Sequence, residues 1–170
     1  SYKGEARYYF GIDKTAPTIE VTYDNNSAMN GEFFKENRIA TVAVTERNFD
    51  SSKFKITTQG AASISGWSPS NKGGNGDNDV WTAHVTYSRD GNYTLEVGGE
   101  DLVGNKADKI EYKGTAPRKF TLDKTAPGVT VTYDNNDVRN EKYYKAVRTA
   151  TIDVNDVNFG GQNDIMVEDS

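Results

Sequence analysis

Catalysis by covalent attack needs a nucleophile, a base to activate it and a group to orient that base, and the 170-residue chain offers few candidates. It contains one histidine, His84, and no cysteine. His84 falls between Thr82 and Thr86 on the outward parity of a strand-like alternation, and no Gly-x-Ser-x-Gly elbow occurs. Gly73-Gly74-Asn75-Gly76 lacks the lysine and following helix of a phosphate cradle and reads as a loop tip. The chain is therefore expected to be no enzyme. What remains is hard-oxygen chemistry. Asp13, Asp24, Asn26, Asn48, Asp50, Asp101, Asn105 and Asp123 lie in short polar stretches, and carboxylate and amide oxygens are the ligands calcium takes. Turns also favour Asp, Asn and Gly for conformational reasons alone. Trp67, between Gly66 and Pro69, is the best candidate for stacking on a glycan ring or a protein, although a loop tryptophan also commonly covers a sheet edge.

Composition narrows the partners. Twenty-five acidic against 20 basic residues give a net charge of −5, and no basic run appears, which argues against nucleic acid. No apolar run approaches the ~20 residues of a membrane-spanning helix. Without cysteine, disulfides and thiolate metal sites are excluded.

The elements that must position these groups are repeated. Asp13-Lys14-Thr15-Ala16-Pro17-Thr18-Ile19-Glu20-Val21-Thr22-Tyr23-Asp24-Asn25-Asn26 returns 110 residues later as the stretch from Asp123 to Asn136, identical at 11 of 14 positions. At the same spacing Arg38 answers Arg148, Asn48-Phe49 answers Asn158-Phe159, Tyr2-Lys3-Gly4 answers Tyr112-Lys113-Gly114, and Phe10 answers Phe120. Conservative exchanges between the copies, such as Ile19/Val129 and Phe33-Phe34/Tyr143-Tyr144, mark positions that need bulk for packing. The repeat divides the chain into 1–12, the end of a preceding module and a linker; 13–122, a complete module; and 123–170, the first part of the next.

Within the module no period near 3.6 appears, whereas period-two alternation is frequent. Ile19, Val21 and Tyr23 form a first strand after Pro17 forces an extended approach. Ala40, Val42 and Val44 form a second, with Phe49 as a plug over the end of the core. Phe54, Ile56 and Thr58 form a third, answered by Ile165-Met166-Val167. A long connection from Gln59 to Asp79 follows. Trp81, Ala83, Val85 and Tyr87 make a fourth strand, which assigns Trp81 to the core. Asp90-Gly91-Asn92 turns into a strand with Tyr93, Leu95 and Val97 inward, and Tyr93 is placed to begin a tyrosine corner. After the turn at Asp101 to Asn105, Lys109 to Lys113 is expected to close the module, leading through Phe120 and Leu122 to the next Asp-Lys-Thr-Ala-Pro. Seven or so short strands without helices fit an all-β, two-sheet Greek-key sandwich.

Asp-Lys-Thr-Ala-Pro at the start of a module, Asp-Gly-x-Tyr before a late strand and Asp-x-x-Gly-Asn near its end resemble the bacterial Ig-like domain repeats of Gram-positive surface and secreted proteins. The resemblance covers the whole chain. It implies an immunoglobulin-like Greek-key β-sandwich in tandem modules and an extracellular location, at the cell surface or cell wall of a Gram-positive bacterium. It also implies a role as a spacer or adhesion stalk. The alternative is an accessory module that binds glycan or protein through the Trp67 loop. Related arrays bind calcium at module joints. Here, strands running up and down would gather Asp13, Asn48, Asp50, Asp101 and Asn105 at one pole. Asp24, Asn26 and Asp90 would gather at the other, beside the linker into Asp123. Gly160 stands where the first copy has Asp50, so Asp50 is not an obligatory ligand. Lys–Asn crosslinks of the kind known in such proteins are not expected, since Lys55 and Lys109 alternate outward. The expected partners are neighbouring modules of the same chain, strands exchanged with another copy, and a glycan or host protein. Residues 123–170 supply only the first strands of a module, so their sheet edges call for completion.

Overall fold

A computed structural model describes residues 10–71 and 79–160 of the chain. Among these residues there is no α-helix; strands and one 3-10 turn at Ser51–Lys53 make up the regular structure. The chain divides after Lys124 into two compact units. Tyr2-Lys3-Gly4, the Gly73–Gly76 tip and the Ile165-Met166-Val167 strand lie outside the described residues.

The first unit opens with β1 (Thr18–Tyr23), β2 (Phe33–Phe34) and β3 (Arg38–Thr45), followed by β4 (Phe54–Gln59). Alternation in β1 and β3 buries Ile19, Val21, Tyr23, Ala40, Val42 and Val44 on one face, the arrangement expected of a strand with one wet side. The two pair antiparallel from Thr18↔Thr45 to Tyr23↔Ala40. After β5 (Ala62–Ile64) and β6 (Ser68–Asn71) come β7 (Val80–Tyr87) and β8 (Gly91–Gly99). The unit ends with β9 (Lys109–Tyr112) and β10 (Lys119–Leu122).

One sheet runs β5-β7-β3-β1-β9, with β6 also on β7, and the other runs β2-β10-β8-β4. The two contribute to one core: Ile19, Val21, Val42, Val85 and Tyr87 come from the first sheet, and Phe34, Tyr93, Leu95, Phe120 and Leu122 from the second. Two sheets around a shared apolar layer make the unit consistent with a β-sandwich. The hydroxyl of Tyr93 donates to the carbonyl of Arg89 at 2.7 Å, fastening the turn before β8.

Two expectations need correction. The connection from Gln59 to Asp79 is not loop throughout, because β5 and β6 both line the free side of β7. Their residues alternate poorly, yet pairing satisfies the backbone of an otherwise open edge. Nor does the module close at Lys113. Phe120 and Leu122, read as part of the approach to the next repeat, belong to β10, which pairs antiparallel with β8 and parallel with β2, and both are buried. Alternation in Lys-Phe-Thr-Leu is what lets this short strand drop two side chains into the core.

The second unit contains β11 (Gly128–Tyr133), β12 (Val138–Arg139), β13 (Tyr143–Tyr144) and β14 (Ala150–Asn155). β11 and β14 pair from Gly128↔Asn155 to Tyr133↔Ala150. Shifted by 110 residues, this is the register of β1 with β3 at every position, so the two copies share this topology.

Candidate functional site

The pole where β1 begins and β3 ends brings together four of the eight hard-oxygen candidates, Asp13, Asn48, Asp101 and Asn105. Oxygens of Asp13, Glu46 and Asp101 lie within 4.8 Å of one another. Glu46 and Asp101 are buried, Glu46 by its place just past β3 and Asp101 by the turn that follows β8. Donors surround them. Asn48 Nδ2 donates to Asp13 Oδ2 at 2.6 Å, and the Asn48 N–H donates to Glu46 Oε1 at 2.7 Å. Asn105 Nδ2 donates to Asp101 Oδ2 at 2.7 Å, while the Val103 and Asn105 N–H groups donate to Asp101 Oδ1 at 2.9 and 2.8 Å. Asn105 Nδ2 also reaches the carbonyl of Asp13 at 3.3 Å, which ties the segment before Pro17 to the Asp101 turn.

These bonds set the charges. Burial pushes the Glu46 carboxyl above its usual range; the Asn48 N–H works against this, and the nearby Asp101 and Asp13 add to the rise. Burial pushes Asp101 up as well, but the Asn105 side chain and the N–H groups of Asn105, Val103 and Gly104 outweigh it and leave Asp101 below the usual range. The cluster is thus a hydrogen-bonded knot. For calcium to take oxygens from these three carboxylates, the Asn48 and Asn105 side chains would turn to present their amide oxygens in place of the N–H groups that donate to Asp13 and Asp101.

Of the residues expected at this pole, Asp13, Asn48, Asp101 and Asn105 come together. Asp50 does not join them; its carboxylate accepts from Ser52 N and Oγ at 2.9 and 2.8 Å and caps the 3-10 turn. Glu46 escaped the sequence reading. The signal was an acid two residues before the repeated asparagine, since Asp156 Oδ1 accepts from the Asn158 N–H at 2.7 Å as Glu46 does from Asn48.

At the opposite pole the candidate residues, among those described, are engaged in separate hydrogen bonds. Asp24 Oδ1 accepts from the Ile39 N–H at 2.7 Å, and Asn26 Oδ1 accepts from the Thr115 N–H at 3.1 Å. The Asp123 N–H donates to the carbonyl of Phe34 at 2.9 Å. Among the described residues, Asp13, Glu46 and Asp101 are the one converging acidic group. The chain leaves the unit here, where Lys124 donates its N–H to Asp90 Oδ1 at 3.1 Å and its Nζ to Asn37 Oδ1 and the Ser88 carbonyl at 3.1 and 2.6 Å.

Beneath this pole lies Arg38, fully buried. Its guanidinium sits 3.7, 4.1 and 4.6 Å from the ring centroids of Tyr23, Phe34 and Phe120. It donates to the carbonyls of Asn25 and Ala116, each at 2.9 Å, and to that of Thr115. Burial pushes its pKa down to about 10, so it remains charged at neutral pH. Arg38 is in step with Ala40, Val42 and Val44 on the buried parity of β3, and its charge masks that signal, which returns at Arg148.

Trp67 is half-buried, with its ring 5.3 Å from Phe49 and 6.1 Å from Phe54. Phe49 stacks on Trp81 at 4.7 Å and on Phe54 at 5.0 Å, covering the end of the core. A cleft of about 400 Å³ remains between Phe49, Asp50, Trp67, Trp81 and Leu102. His84 is exposed, with Nδ1 3.2 Å from Thr41 Oγ1. Comparison with protein-family models, curated proteins and solved structures returned no match.

Proposed function

We propose that the chain is a run of tandem Ig-like Greek-key modules serving as a non-catalytic spacer or adhesion stalk of an extracellular protein at the surface or cell wall of a Gram-positive bacterium. The location rests on the resemblance of the repeat motifs alone. The mechanical role rests on one observation: the first unit receives the chain at one end of the β1–β3 ladder and releases it at the other. Asp13 is tied beside Thr45 through Asn48, whereas Lys124 is tied beside Asn37, which precedes β3. A module threaded this way adds its strand length, roughly 25 Å for eight residues, to the distance it spans.

The pairing of the outer strands supports the same reading. β1 runs parallel to β9, and β10 runs parallel to β2. A pull on the two ends therefore loads these ladders lengthwise, so that several hydrogen bonds resist together instead of opening one by one.

The second reading, a glycan- or protein-binding module, is favoured by the cleft beside Trp67. Against it, the Trp67 ring packs against Phe49 and Phe54. A glycan array probed with the chain and with Trp67→Ala separates the two. The spacer reading expects no retention that depends on the tryptophan, and specific retention abolished by the substitution sinks it.

A further inference from the structure

The end of the core beside β6 and β7 is closed by rings, and one side of that closure meets water. Phe49 lies between Trp81, stacked at 4.7 Å, and Phe54, stacked at 5.0 Å, so both of its faces are covered. Trp67 stands across its edge, with centroids 5.3 Å apart and ring planes at 65°. Phe49, Trp67 and Trp81 nevertheless stay half-buried, and Leu102, on the turn after β8, is 57% exposed. Large apolar side chains ordinarily disappear into the core. Here they line the cleft of about 400 Å³, a volume toward the lower end of small-molecule sites.

The cleft also has a charge of one sign. Asp50 is the one ionisable group among the residues that line it. Its Oδ1 is engaged by the Ser52 N–H and hydroxyl at 2.9 and 2.8 Å, while among the described residues its Oδ2 accepts no hydrogen bond. Lys53, three residues on, turns its Nζ to Glu100 Oε1 at 3.2 Å, so its own charge is already answered. Ring faces carry the negative side of an aromatic quadrupole, and rings and carboxylate therefore attract the same kind of guest, a cation. A primary ammonium fits poorly. It is strongly hydrated and brings three N–H donors to walls that offer few acceptors. A quaternary ammonium has no N–H to satisfy and presents methyl groups to the rings.

We infer that the cleft between Phe49, Asp50, Trp67, Trp81 and Leu102 binds a trimethylammonium group of the choline type, with the tryptophan rings as walls and the Asp50 carboxylate as counter-charge. The inference takes from the second reading above only that the cleft is open to a ligand, and puts a cation where that reading puts a sugar. It does not depend on the spacer role.

Titration of the 170-residue chain with choline chloride at constant ionic strength, with sodium chloride as the blank, tests it through the indole N–H signals of Trp67 and Trp81. Saturable shifts of both are expected, with an affinity about tenfold above that for the neutral carbon analogue in which tert-butyl replaces trimethylammonium. Asp50→Asn keeps an oxygen to cap Ser51–Lys53, and is expected to bring choline down to the level of the analogue while leaving the urea midpoint in place. The comparison of choline with its analogue needs no variant and decides the matter whatever the stability of Asp50→Asn. Equal binding of the two compounds overturns the inference. So do saturable shifts confined to other residues, the absence of any saturable shift, and undiminished choline binding by folded Asp50→Asn. Trp67-dependent retention on a glycan array without a choline response upholds the second reading and defeats this one; a choline response with a silent array does the reverse.

Discussion

Replacing Arg38 by alanine removes a buried cation, three aromatic contacts and the donors to three backbone carbonyls. Hydrogen bonds involving a charged partner contribute roughly 1.5–3 kcal/mol each, and a desolvated cation over aromatic rings adds about 2 kcal/mol. Their sum overstates the loss. The variant no longer holds a guanidinium out of water, and water entering the vacated space can reach some of the carbonyls. A net cost of about 3–5 kcal/mol is expected, among the larger effects of single substitutions. Urea unfolding followed by tyrosine and tryptophan fluorescence measures it, with an unchanged slope confirming that the same surface is exposed. Arg148→Ala is the internal control. That guanidinium is only half-buried and has two rings instead of three, so the midpoint of the first unit should stay in place. A loss below about 1 kcal/mol for Arg38→Ala would refute the view that this arginine joins the two sheets.

Tyr93→Phe deletes the hydroxyl bond to Arg89 and is expected to cost about 1–1.5 kcal/mol in the same unfolding assay. Glu46 has its folded pKa raised, so the folded state holds the proton more tightly than the unfolded chain, and the stability this proton confers is lost as pH rises through the raised value. Glu46→Gln should flatten that decline, read as unfolding midpoints from the ordinary glutamate range up to neutrality. Asp101 acts in the opposite sense: its folded pKa is lowered, so its stabilisation is present above the unfolded value and disappears as acid takes pH down through the folded one. Asp101→Asn should therefore lower the melting temperature at neutral pH and narrow its gap from the parent in acid. If calcium does occupy the Asp13, Glu46 and Asp101 knot, chelation lowers the melting temperature and Glu46→Gln abolishes the shift; an unchanged melting curve removes calcium from the account.

The strands that form the centre of the first unit were legible because their side chains alternate without ambiguity: Ile19-Val21-Tyr23, Ala40-Val42-Val44, Ala83-Val85-Tyr87 and Tyr93-Leu95-Val97 all face the core. The Tyr93 corner and the Phe49 plug were readable for a related reason, since each is an aromatic at the edge of a turn. β5 and β6 were not, because Ala62–Ile64 and Ser68–Asn71 owe their strand conformation to the edge of β7 and not to a pattern of their own. β10 was hidden by its shortness and by the turn-rich residues before it. At the acidic pole, up-and-down strands brought Asp13, Asn48, Asp101 and Asn105 together as expected. Asp50 was drawn away by the cap it forms, and Glu46 went unread because an acid next to a strand end ordinarily faces water. Arg38 was hardest: its parity with Ala40, Val42 and Val44 points inward while its charge argues for water, and the tertiary packing decides between them.

Single-molecule force spectroscopy, with the chain held by its two ends, tests the mechanical role most directly. One abrupt event releasing on the order of 350 Å of contour is expected as the first unit gives way, because its parallel outer ladders break together. Smooth extension at low force, with strands peeling off one after another and no distinct event, would contradict it.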